Sequence, residues 1–99
     1  MQRATQRRGD AASLTLPTIH LNGSHGPHLR DALRDASNAL RLAIEAHGNT
    51  SPHGRDYYPQ GDDAYRQASR EHASRWERLS AVQDEILALW DAVDGQVRP

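Results

Sequence analysis

Cysteine is absent from this 99-residue chain, which excludes disulfides and thiolate zinc sites. Phenylalanine is absent too, and 36% of the residues are hydrophobic, against roughly 45–50% in an average globular domain. A single small domain with so little apolar side chain buries a modest core. Self-association is the expected remedy. No apolar run approaches the ~20 residues that span a bilayer, and the polar first residues do not form a secretory signal. A soluble, cytoplasmic protein with no membrane contact is expected. Lysine is missing as well, so all 12 basic residues are arginine. The net charge of −1 argues against a DNA-coating role, and no stable nucleic-acid complex is expected.

What is present reads in segments. Residues 1–12 place Arg3, Arg7 and Arg8 among small polar residues without an apolar period, as in a disordered arm. In residues 14–21, Leu14, Leu16, Ile19 and Leu21 are interleaved with polar residues and broken by Pro17, the pattern of a short edge strand. No second strand signal follows, and a lone strand leaves backbone groups unpaired. It is expected to pair with a symmetry mate or to lie as an arm across a helix. Asn22-Gly23-Ser24 turns the chain, and Pro27 suits a first helical position. Leu29, Leu33, Ala36, Leu40, Ala43 and Ile44 then follow a 3-4 spacing along residues 27–47. Gly48 is placed to stop this helix in the left-handed conformation.

The second helix is expected to start at Asp62 or Asp63, acting as caps. Tyr65, His72, Leu79, Ile86 and Val93 recur every seven residues, with Ala68, Val82 and Leu89 between them. That is a heptad seam. Trp76 and Trp90 flank it and Gly95 marks its end, leaving residues 13–95 as the domain and 96–99 as a tail. The fold class expected is mainly α: an antiparallel hairpin of a short and a long helix, preceded by a short extended strand, forming a homo-oligomer. Helices of about 20 and 33 residues measure roughly 30 and 50 Å. The longer is therefore expected to overrun the start of the shorter, leaving Ile86, Leu89, Trp90 and Val93 to be covered on one side by residues 14–21 and otherwise by a partner subunit.

Between the helices lies Pro52-His53-Gly54-Arg55-Asp56-Tyr57-Tyr58-Pro59-Gln60-Gly61. Plain helix-to-helix connections need about 2–8 residues, mostly small and polar. This one carries recognition chemistry. Arg55 precedes Arg66 and Arg70, which sit one turn apart on the next helix, and a guanidinium fork both grips phosphate and stacks on rings. Tyr57 and Tyr58 can stack on a base, while Asp56 and Gln60 can read ribose or base edges. Charge order along the helix points the same way. Residues 64–78 hold four arginines and two acids, whereas 79–94 hold four acids and no base, against the helix dipole. Two other readings stand beside this one. The tyrosines can cap the hairpin core with Arg55 and Asp56 paired, or the loop can meet a protein partner.

Free amides at Asn22-Gly23-Ser24 offer an anion site, although ordinary capping explains them as well. Only an oligomer would bring Asn22 to the tyrosine loop. The six histidines form no recognisable ligand set, because Gly26 and Pro27 break the spacing of His25 and His28. No metal is expected. There is no nucleophile elbow or phosphate loop, and His53 with Asp56 or His47 makes only a generic acid–base pair. No catalytic residue and no cofactor are expected.

Pro17-Thr18-Ile19-His20-Leu21-Asn22-Gly23-Ser24 and Gly54-Arg55-Asp56-Tyr57-Tyr58-Pro59-Gln60-Gly61 resemble a family of small proteins of tailed phages and prophages. The resemblance covers about residues 17–93 and implies a strand, helix, loop, long-helix layout. It further implies a viral accessory protein in the cytoplasm of the infected bacterium or in the virion. Small phage oligomers include sponges that sequester nucleotide signals of host immunity. By that analogy the chain is expected to be a non-enzymatic oligomer holding a small anionic ligand. Arg55 with Arg66 or Arg70 would grip phosphate, Tyr57 and Tyr58 would stack, and Asp56, Gln60 and Asn22 would read polar edges. The alternatives are a virion structural or assembly component and a direct inhibitor of a host protein.

Overall fold

Proline at the first turn and satisfied carbonyls at the last turn set the bounds of the first helix, α1 (Gly26–Gly48). The computed structural model describes residues 13–98; residues 1–12, read above as an arm, lie outside them. A single-turn helix α2 (Gly54–Tyr57) and a 3-10 turn (Tyr58–Gln60) follow, and then the long helix α3 (Asp62–Val97). The described chain is mainly helical, and no helix in it is long and apolar enough to cross a membrane.

Two glycines do not act as the sequence pattern predicts. Gly48 is an ordinary last residue of α1; Asn49 follows in the right-handed region and donates to the Ala46 carbonyl at 3.0 Å. Thr50 then satisfies the His47 carbonyl twice, through its N–H at 2.9 Å and its hydroxyl at 2.7 Å. With the end capped this way, no left-handed residue is needed. Gly95 does not stop α3, which continues to Val97. The Arg98 N–H closes that end on the Asp94 carbonyl at 2.9 Å.

The two long helices run antiparallel, and their register is readable residue by residue. A Cβ placed on Gly26 would lie 2.6 Å from Val97 Cγ2. Arg30 Nη1 meets Asp94 Oδ1 at 3.1 Å, and Gln83 Nε2 donates to the Ser37 carbonyl at 3.2 Å. The His47 and His72 rings stack with centroids 4.1 Å apart. His72, Gln83 and Asp94 recur every eleven residues, three turns of a straight helix, rather than every seven. The expected overhang of Ile86, Leu89, Trp90 and Val93 is thereby corrected. Val93 is fully buried, and the unpaired stretch is the other end of α3, residues 62–71, about 15 Å long. The reason is the connector, which is long enough to let α1 pair with the later turns of α3.

Of the two expectations for residues 14–21, the arm lying across a helix is the one that the chain adopts. Residues 14–21 form no β-strand; a side chain stands where a neighbouring strand would. Gln96 Oε1 accepts from the Ile19 N–H at 2.8 Å, and Gln96 Nε2 donates to the Pro17 carbonyl at 2.9 Å. A side-chain amide presents an N–H and a C=O side by side, spaced like those of a peptide, so it matches one side of an extended segment, and the second N–H of Gln96 donates to the Ala92 carbonyl. Residues 96–97 are thus part of the packing, not a tail.

Burial is sparse. Among the described residues Val93 and Ala68 are the buried apolar side chains, and Ser37, Ser80 and Asp94 are the buried polar ones. Desolvation pushes the Asp94 carboxyl up, but hydrogen bonds and charge from Arg98 and Arg30 outweigh it and hold the pKa below the ordinary 3.8. At the opposite end, burial lowers His47 below 6.5, helped by His72 and Arg75. Both ring nitrogens of His47 are buried without a hydrogen bond, while His72 Nε2 reaches Ser51 Oγ at 3.2 Å.

Both groups bind protons less readily in the folded chain, so each supports folding only above its own window. Melting temperature is expected to fall as pH drops through 6.5 towards the lower folded value of His47, and His47→Phe should flatten that slope. A second fall, below 3.8, belongs to Asp94 and should be missing in Asp94→Asn. Gln96→Ala should cost about 1 kcal/mol in a urea melt, because both bonds are solvent-accessible, and should lose protection of the Ile19 amide in hydrogen exchange.

Candidate functional site

The unpaired start of α3 is where the connector returns. His53 begins the turn by accepting the Arg55 N–H on its Nδ1 at 3.2 Å, and its carbonyl accepts from the Asp56 N–H at 2.9 Å. Pro59 lies in the 3-10 turn, and the Gly61 N–H closes on the Tyr58 carbonyl at 3.0 Å. Gly61 then adopts φ 101° and ψ 165°, a region nearly restricted to glycine. This kink lets α3 start beside the connector. Gly61 is itself the N-cap residue, so Asp62 and Asp63 lie in the first turn and make no side-chain cap; they face the positive end of the helix dipole.

A cleft of about 480 Å3 opens between these pieces, walled by His53, Arg55, Tyr58, Asp62, Tyr65 and Arg66. Its size falls in the ordinary range for small-ligand pockets. Of the eight sequence candidates, the structure brings Arg55, Tyr58 and Arg66 together here. Tyr57 is half-buried beside the cleft, and Asp56 and Gln60 are exposed without lining it. Arg70 lies one turn further on and donates to Gln67 Oε1 at 2.6 Å. Asn22 sits at the far end of the molecule, in the segment that packs on the last turns of α3. Its N–H is taken by His20 Nδ1 at 3.3 Å. Within one chain it cannot join the cleft, since α3 separates the two ends by its full 36 residues, about 54 Å.

Tyr65, His53 and Asp62 are the wall residues that the sequence pattern did not single out as site residues. Tyr65 fits the heptad seam, but α1 stops short of it and leaves the residue 41% exposed. His53 caps the single-turn helix α2, but histidine is not among the usual capping residues, so no local signal marked it.

The electrostatics are mixed. Arg66 Nη2 is held by Asp63 Oδ1 at 2.5 Å, and the Asp62 carboxylate shares the wall. Arg55 is exposed, and no ion pair or hydrogen bond to its guanidinium occurs among the described residues. The site therefore offers one uncommitted guanidinium, a second that is half-neutralised, and two phenol rings. No group of three or more metal-ligating side chains occurs among the described residues. No family model matches the chain, and no curated protein or solved structure shows a significant match to it.

The Gly61 kink can be checked against a helical glycine. Gly61→Ala should destabilise by about 1–3 kcal/mol because of its dihedral angles. Gly95→Ala, with nothing within 4 Å of the added methyl, should stabilise by about 0.5–1 kcal/mol. Paired thermal melts measure both.

Proposed function

We propose that this chain is a non-enzymatic, self-associating binding protein whose cleft captures a small planar anion of nucleotide type. The observation that carries the reading is Arg55, a guanidinium without a carboxylate partner among the described residues, on a wall shared with Tyr58 and Tyr65. A nucleotide would place its phosphate on Arg55 and Arg66, which grip oxygen pairs. Its base would stack on a tyrosine, a contact worth about 1–3 kcal/mol per base. The two strings that resemble phage proteins support a viral accessory role in the cytoplasm of an infected bacterium, where such a binder would sequester a host signal. Self-association is supported by the core, since a hairpin that buries so few apolar side chains is marginal by itself.

Exposed apolar side chains favour a second reading, a docking component of the virion or an inhibitor of a host protein. Leu42 is 56% exposed and Trp76 43%. The readings separate by thermal shift against a panel of linear and cyclic nucleotides, because a ligand bound to the folded state raises the melting temperature. A rise is expected for at least one nucleotide, lost in Arg55→Ala and weakened about tenfold or more in Tyr58→Ala, with both apo variants as stable as the parent. No shift across the panel would sink the cleft reading.

A further inference from the structure

The heptad seam is only partly used inside the chain, where His72 stacks on His47 and Val93 is fully buried. Its central residues, Leu79, Val82, Ile86 and Leu89, flank the eleven-residue line of His72, Gln83 and Asp94 that meets α1. Successive helical residues differ by about 100°, so Val82 and Leu89 lie a third of a turn away from Gln83, on one side. On α1, Ala36 and Ala43 bear the same relation to Ser37. In an antiparallel pair these two flanks fall on the same side of the hairpin. Val82 is 45% exposed, and Leu79, Ile86, Leu89, Ala36 and Leu40 are half-buried. A groove of about 320 Å3 between Arg75, Arg78, Leu79 and Val82 opens along this side.

We infer that this flank is the docking surface for a second copy of the chain, with the two α3 helices antiparallel across a twofold axis between Leu79 and Val82. The inference rests on the self-association proposed above and names its face and direction. Charge decides the direction. Arg78 and Glu85 are seven residues apart on the rim of the seam, and neither forms an ion pair among the described residues. Antiparallel pairing sets Leu79 against Val82 of the second copy and brings Arg78 within two residues, about 3 Å along the axis, of the other copy's Glu85, twice by symmetry. Parallel pairing would set Arg75 on Arg75, Arg78 on Arg78 and acid on acid along the whole helix. Residues 1–12 are a poor occupant, because Met1 is their one large apolar residue.

The full chain, studied by analytical ultracentrifugation at micromolar concentration, is expected to sediment at twice its 11.0 kDa mass. Val82→Glu should give the monomer mass with helical circular dichroism retained. Arg78→Glu should weaken the dimer by about tenfold or more, and Arg78→Glu combined with Glu85→Arg should restore it. A monomeric parent chain would overturn both this face and the self-association. A dimer that persists unchanged in Val82→Glu and Arg78→Glu would overturn the face alone. Should Val82→Glu unfold, the charge exchange decides: failure of the double variant to recover overturns the antiparallel pairing.

Discussion

Asp94 is the buried carboxylate on which the level of α1 along α3 depends. A charge removed from water must keep its partners, and Arg30 on α1 is one of the two that Asp94 has. Sliding α1 by one helical turn, about 5.4 Å, would strand that carboxylate and pull His47 off His72 at the other end. Among the described residues Val93 and Ala68 are the buried apolar side chains, so apolar packing by itself defines the level weakly. Polar contacts therefore select the register, and apolar contacts add to its stability.

From that register follows the position of the cleft. With Gly26 level with Val97, the surplus length of α3 lies at its start, beyond the last turn of α1. The connector folds back over this bare stretch, so Tyr65, which would be a seam residue in a longer hairpin, becomes a wall residue of the cleft. The same register rotates the outer heptad away from α1. A helix that meets its partner every eleven residues leaves a seven-residue stripe partly free, which is the flank assigned to a second copy.

The helices themselves were legible: Pro27 in the first turn of α1, the 3-4 spacing of Leu29, Leu33 and Leu40, and the acidic first turn of α3 all mark elements that formed. So did the Gly/Pro-bracketed connector, with Arg55, Tyr58 and Arg66 on one wall. Their ends were less legible, because Gly48 and Gly95 carry the signal for a stop while Thr50 and Arg98 supply the actual closure. The partner of residues 14–21 was less legible for a related reason. Alternation in residues 14–21 reports an extended backbone, but not what pairs with it, and Gln96, more than seventy residues away in the chain, does so.

By itself the sequence determined local matters: helix content, the kink that Gly61 permits, and the arginine and tyrosines held in the connector. These depend on backbone sterics and on neighbours within a turn or two. Tertiary structure decided which stripe of α3 meets α1, that Asn22 stands apart from the cleft, and that Tyr65 and His53 belong to it. Periodicity specifies that a helix has an apolar face, and α3 carries two periods that meet at His72 and lie on neighbouring stripes. Only long-range contacts, the Arg30–Asp94 pair and the His47–His72 stack, choose between them, because their energies exist only once both helices are in place.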